Sequence, residues 1–200
     1  MININFNSNE IAIVDGNQKI SYKKLKIDIL GLIDFFKKKK IKKQQIVCVE
    51  LENCYLYVVL YLACFYYNLI IVPINKNSTK KDKKKIIKSL KPRLYIKKKT
   101  DLIINKTKTK QLPIFNNFLP NSIFFSSGTT QEPKGIIHNF YSLSNSSKNF
   151  INSNTNIKNL NFLSFLPMSY MAGFLNSILN ILFQNGTIFI ERKFDFDYSS

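Results

Sequence analysis

At 200 residues the chain is long enough for one domain with a real core, burying on the order of 70% of the surface its unfolded form would expose. Its 45% hydrophobic content excludes a disordered chain in spite of a net charge of +18. The charge is almost purely lysine, with Arg93 and Arg192 the only arginines. Phosphate and guanine recognition favours the bidentate guanidinium, so the excess reads as a solvated lysine surface rather than a nucleic-acid interface.

The start, Met1-Ile2-Asn3-Ile4-Asn5-Phe6, has no basic residue leading into an apolar stretch. No secretory signal is expected, and the cytoplasm is the expected compartment. Residues 11–22, IAIVDGNQKISY, form two short apolar runs around Asp15-Gly16, a dipeptide that favours a tight hairpin turn. Ser21 then stands as a cap before Leu25, Ile29, Leu32, Ile33 and Phe36, which repeat at helical spacing. The lysines at 37–40, 42 and 43 suit the end of that helix. Residues 46–51 read as a buried strand.

The run YLYVVLYLACFYYNLIIVPI, residues 55–74, approaches the roughly 20 residues a bilayer requires. Asn68 and Pro73 interrupt it, and Val and Ile crowd its second half. A buried helix over 55–67, a turn at Asn68 and a strand over 69–72 account for it better than a transmembrane segment. Cys48, Cys54 and Cys64 form no CxxC pair and have no histidine cluster at ligand spacing, so they read as buried free thiols and no metal site is expected. Ser78 or Thr79 can cap a helix that points Ile86, Ile87 and Leu90 inward and stops at Pro92, before a strand at 94–96.

This alternation predicts an α/β domain with a layered, mostly parallel sheet flanked by helices. The chain divides into a first α/β section at 1–96, an exposed lysine-rich connector at 97–120 and a third section at 121–200. In the third, Ile123, Phe124 and Phe125 form a strand, and Ile136 and Ile137 resume strand character. Residues 142–161 are ambiguous between helix and loop, with Leu143, Phe150 and Ile151 as core anchors. Residues 162–167 are apolar, 171–183 are helical in spacing, and 187–191 form a strand after Gly186.

Between those first two strands of the third section lies Ser126-Ser127-Gly128-Thr129-Thr130-Gln131-Glu132-Pro133-Lys134-Gly135. Hydroxyls, backbone N–H groups freed by glycine and one lysine can wrap phosphate oxygens. It is not a Walker A loop, because Pro133 and Gly135 stand where that loop needs glycine and a hydroxyl. Composition alone leaves a polar turn and a phosphate cradle both open.

The order of these residues closely resembles the signature loop of the AMP-binding superfamily, [ST]SG[ST]TGxPKG, found in acyl-CoA synthetases, aryl-CoA ligases and peptide-synthetase adenylation domains. Gln131 departs, standing where the family prefers glycine. Residues 11–25 resemble the family's opening, and Val72-Pro73-Ile74-Asn75 with Lys91-Pro92-Arg93 is similar to its second conserved stretch. Leu166-Pro167-Met168-Ser169-Tyr170-Met171-Ala172-Gly173 is similar to LPxxHxxG, with Tyr170 in the histidine's place.

The resemblance implies the N-terminal portion of an adenylate-forming enzyme and the activation of a carboxylic acid by ATP with Mg2+. Coenzyme A or a carrier-protein thiol would then accept the acyl group. It implies that Ser126, Ser127, Gly128, Thr129 and Thr130 hold the leaving phosphates, that Lys134 is catalytic in offsetting their charge, and that Tyr170 and Gly173 border the acid. An ordinary buried role for Tyr170 stays open. His138 is the only histidine, but a carboxylate is already the nucleophile and needs no base. The family's later acidic motifs and C-terminal lysine do not occur in these residues, so the expectation is an incomplete enzyme needing a complementary polypeptide. A non-catalytic remnant or interaction module, and a lysine-driven nucleic-acid binder, remain as alternatives.

Overall fold

The turn at Asp15-Gly16 is as its sequence predicts. Strands β1 (Ile11–Asp15) and β2 (Gln18–Ser21) pair antiparallel, with Asp15 opposite Gln18 and Gly16 at φ +59°, a left-handed position that costs glycine nothing. The structure, a computed structural model, describes residues 4–104, 106–126, 133–153 and 160–191. Helix α1 (Tyr22–Lys38) begins where Ser21 accepts a hydrogen bond from the Lys24 N–H at 3.2 Å, and it ends with Lys37 and Lys38 in its last turn. Leu25, Ile29, Leu32, Ile33 and Phe36 are all buried, as the spacing requires.

Next come β3 (Ile46–Val49), α2 (Tyr55–Tyr66), β4 (Ile70–Pro73), α3 (Lys80–Leu90) and β5 (Leu94–Ile96). Every residue of α2 from Tyr57 to Phe65 is buried, which explains its apolar run without a bilayer. Among the described residues no helix is long and apolar enough to cross a membrane. Cys54 does not cap α2 through its side chain; the Asp15 carboxylate accepts from the Tyr55 N–H at 3.0 Å instead. Asn68 makes the turn into β4 at φ 54°, and Thr79 caps α3 by accepting from the Asp82 N–H.

The third section supplies β6 (Pro120–Ser126), β7 (Lys134–Asn139), α4 (Phe140–Ser153), β8 (Asn161–Ser164), α5 (Met171–Phe174), a π turn (Leu175–Leu179), α6 (Asn180–Phe183) and β9 (Thr187–Ile190). Helix α4 settles much of the ambiguous stretch. Leu143 is buried on it and Ile151 packs against the core, whereas Phe150 is half-exposed rather than a buried anchor. Within 97–120, Leu102 is buried, and the Phe115 ring lies edge-on to Tyr66 and Phe140, each 5.0 Å between centroids. The Asn116 N–H donates to Asn68 Oδ1 at 3.0 Å, tying this lysine-rich stretch back to the turn before β4.

Two sheets result. The five-stranded sheet has the order β5-β3-β4-β6-β7, parallel except for β7; the four-stranded sheet has the order β2-β1-β9-β8, parallel except for β2. Each sheet mixes strands from the first and third sections. Apolar clusters lie on both faces of the larger sheet, as strand alternation dictates. Val47 and Val49 join α1, α2 and Phe124 in the main core, whereas Cys48, Val72 and Ile123 join Ile86 of α3 in the smaller one. The expected mostly parallel, helix-flanked α/β architecture is what forms.

Candidate functional site

Strands β3, β4 and β6 run the same way, so their carboxyl ends share one edge, where open α/β sheets bind ligands. Glu50 follows β3 and Asn75 follows β4. Ile71 of β4 pairs with Ser122 of β6, so the loop that carries Asn75 after β4 and the end of β6 at Ser126 leave the sheet at the same edge.

Ser126 ends β6 and pairs with Lys134, the first residue of β7. The ends of β6 and β7 that flank the hydroxyl- and glycine-rich segment therefore lie at that edge. Ser127, Gly128, Thr129 and Thr130, with Gln131, lie outside the described residues. Lys134 is exposed at the mouth of the hairpin. Gly135 has a packing reason to be glycine: a Cβ there would lie 2.8 Å from Ile123 Cγ2 and 3.1 Å from the Phe125 ring. On the α3 side, a cleft lined by Lys85, Ile86, Lys88, Ser89, Phe125 and Pro133 opens beside the hairpin.

The Leu166–Tyr170 stretch is fastened over the same edge by groups that spacing did not single out. Asn53 Nδ2 donates to Leu166 O at 2.9 Å and Glu191 O at 3.3 Å, and its Oδ1 accepts from the Met168 N–H at 2.8 Å. From the middle of α2, the buried Tyr61 hydroxyl donates to Met168 O at 2.6 Å. Tyr170, at the N-cap position of α5, is 39% exposed, and its hydroxyl accepts from Asn75 Nδ2 at 2.5 Å. Tyr170 is thus a half-exposed side chain bridging two loops, not an interior tyrosine. Gly173 is buried beneath the motif, where a Cβ would lie 2.1 Å from Pro167 O; any larger residue would lift α5 off the turn.

The loop that presents Asn75 is itself pinned. Lys83 Nζ donates to Lys76 O at 2.6 Å and to Glu50 Oε1 at 2.7 Å, while the Tyr95 hydroxyl donates to Glu50 Oε2. Burial pushes the Glu50 carboxyl up, but the hydrogen bonds from Lys83 and Tyr95 outweigh it and hold the group below the usual range. His138 lies toward the far end of β7, opposite Ser122 and edge-on to the Phe124 ring at 5.8 Å, so it is remote from the hairpin mouth. Burial lowers its pKa, favouring the neutral ring. The three cysteines are buried free thiols, and burial pushes Cys48 up to about 12. Among the described residues no three His, Cys, Asp or Glu side chains are grouped to hold a metal ion.

Asn53 and Tyr61 had almost no sequence signal. Asn53 sits between a strand and a helix, where it looks like a local cap, and Tyr61 is one of many aromatics in an apolar run. Their partners lie 107–138 residues away.

A family model described as AMP-binding enzyme matches residues 3–118 and 113–199. Among solved structures, the Klebsiella oxytoca NpsA N-terminal subdomain in complex with 3-hydroxyanthranilyl-AMSN superposes with a TM-score of 0.82 at 18% identity, covering 94% of this chain and 51% of that one. ATP-bound MatB from Rhodopseudomonas palustris gives 0.83 at 17% identity, covering 94% and 43%. Bacillus subtilis MenE, an O-succinylbenzoate coenzyme A synthetase in complex with AMP, gives 0.79 at 16%, covering 92% and 53%. The chain therefore spans about half the length of these structures, and the likeness is one of fold. No curated protein matches the sequence.

Proposed function

The chain belongs to the AMP-binding enzyme family, and on that premise we propose that it forms the phosphate-gripping and acid-bordering part of an enzyme that activates a carboxylic acid. A carboxylate oxygen attacks the α-phosphorus of ATP in line, the bond to the β-phosphate oxygen breaks, and acyl-adenylate and pyrophosphate result. A thiol, of coenzyme A or a carrier protein, then takes the acyl group and AMP leaves.

The protein's share of this chemistry is positioning and charge stabilisation. The donors of residues 126–130, backbone N–H and hydroxyl alike, suit phosphate oxygens and supply no carboxylate to repel them. Lys134, beside the last residue of β6, offsets charge on the leaving pyrophosphate. The Asn75–Tyr170 hydrogen bond forms one wall of the acid's entrance, and Gly173 lets the helix behind Tyr170 sit close beneath it. No base is needed, and His138 takes no part. A divalent ion bound with the nucleotide would offset further charge on its phosphates.

One observation carries the reading: the strands that flank the signature segment end at the carboxyl edge of the parallel strands, the edge from which Asn75 after β4 reaches Tyr170. The chain spans about half the length of the structures it resembles, and we propose that it works with residues that complete that fold. Pyrophosphate release by the chain supplied with such residues tests the proposal. Lys134→Ala should lower the rate by about tenfold or more, and an unchanged rate would remove Lys134 from this role.

A further inference from the structure

The amino ends of the parallel strands β3, β4, β5 and β6 lie on the edge opposite the candidate site, and the connections gathered there are bound to one another. The Arg93 N–H, entering β5, donates to Ile46 O of β3 at 2.9 Å, and the Ile70 N–H of β4 donates to Gln45 O at 3.0 Å. Gln44 reaches two neighbouring connections: its N–H donates to Asn68 O at 2.6 Å and its Nε2 to Pro120 O at 3.2 Å. Asn139, the last residue of the antiparallel β7, stands opposite Pro120, and the Tyr141 N–H just beyond it donates to Asn117 O at 3.0 Å. Five connections thus form one stitched rim, roughly 20 Å across at the usual strand spacing.

The rim is cationic at one end and aromatic at the other. Lys39, Lys40, Lys42, Lys43, Lys91 and Arg93 are exposed on it, and residues 39–45, 67–69, 91–93, 115–119 and 139–141 include no Asp or Glu. Helix C-termini favour lysine, which accounts for Lys37 and Lys38 in the last turn of α1. It does not account for Lys42 and Lys43, which lie beyond that helix, nor for lysine at 40 and 91, where φ of 54° and 44° would suit glycine without strain. At the β6–β7 end, Phe118 and Tyr141 are 67% and 50% exposed, with ring centroids 4.9 Å apart.

We propose that this rim seats the protein on an anionic phospholipid surface, its cations over the headgroups and the Phe118–Tyr141 pair entering the interface. Charge complementarity selects the partner, since each lysine or arginine held near such a surface adds to binding and no carboxylate in these connections opposes it. Lysine rather than arginine suits it too: the long stem lies along apolar material while the ammonium stays with the phosphates, and no guanidinium fork is needed to read a base. Duplex nucleic acid shares the charge but has no apolar layer to receive the two rings. Docking by the rim turns the opposite edge, with Asn75, Ser126 and Lys134, away from the membrane and leaves it open to solutes.

The chain has no tryptophan, so Phe118→Trp places a lone fluorescent reporter in the rim. Its emission should shift to the blue with vesicles of phosphatidylcholine and phosphatidylserine, and stay unchanged with phosphatidylcholine alone. Sedimentation with the mixed vesicles measures affinity, which the Lys39→Gln, Lys42→Gln, Lys43→Gln variant should weaken by at least about tenfold. A control of equal charge, Lys80→Gln, Lys81→Gln, Lys84→Gln, removes exposed lysines from the start of α3 near the carboxyl edge and should bind nearly as well as the parent chain. An unshifted reporter overturns the proposal. So does equal weakening by the two triple variants, which is the behaviour of a diffuse polycation. Binding to DNA that is tighter than binding to the vesicles, and lost in the first variant alone, would assign the rim to nucleic acid instead. None of these outcomes depends on acyl-adenylate formation, so the proposed activity stands or falls separately.

Discussion

Asn53 holds more of the candidate site together than any other single side chain described. Its amide joins the end of β3 to Leu166, Met168 and Glu191 and satisfies three backbone groups at once. Replacing it with alanine strands those groups at a poorly solvated junction, so Asn53→Ala should cost about 2–3 kcal/mol, measured by urea denaturation. A loss below about 0.5 kcal/mol would mean that solvent takes over its hydrogen bonds. His138 gives a prediction of opposite origin. Burial depresses its pKa from the ordinary 6.5, so the unfolded chain binds the proton more readily. The stability this confers is fully present above about pH 6.5 and is lost as pH falls through the depressed folded value. Thermal midpoints between pH 5 and 7.5 should therefore decline less steeply on acidification in His138→Gln than in the parent chain; parallel curves would show that the ring titrates alike in both states. At this scale the sequence was informative where a residue acts within its own element. Ser21 and Thr79 were legible as caps and the cysteines as buried thiols, whereas Asn53 and Tyr61 act across more than 100 residues and left no local trace.

Among the elements, the segment from β8 to α6 shows how backbone proximity fixes composition. The first turn of α5 lies on the carbonyl of Pro167, so Gly173 is glycine because nothing else fits. Gly173→Ala should destabilise the chain by about 3 kcal/mol or more and displace Tyr170 from Asn75. Urea denaturation, with a crystal structure of the variant, would check both effects, and an unperturbed Asn75–Tyr170 contact would show that α5 accommodates the methyl group. The same helix passes through a π turn at Leu175–Leu179, which the spacing of 171–183 did not reveal, because one extra residue in a turn barely alters an apolar pattern. The helix-strand alternation of the first 96 residues was readable because each element carries its own periodicity and punctuation. Helix α4 was not, since its Ser- and Asn-rich sequence has weak helical preference and only Leu143 among its three expected anchors is deeply buried.

Across the whole molecule, the parallel character of the sheet was legible while its division was not. Local patterns showed strands alternating with helices, but which strands become neighbours depends on long-range pairing. That pairing threads β9 between β1 and β8, and β6 beside β4, so that both sheets draw on both ends of the chain. The same interleaving brings residues 75, 126, 134 and 170 toward one edge. Lysine contributes a diffuse positive field over the rest of the surface, so the central claim is best tested by whether one segment grips polyphosphate beyond what that field supplies. Amide NMR shifts of the labelled chain titrated with MgATP measure this directly. The account predicts saturable shifts concentrated at residues 126–135 and lost or strongly weakened in Lys134→Ala. Weak, unsaturated shifts spread over the lysine surface and identical in the variant would contradict it.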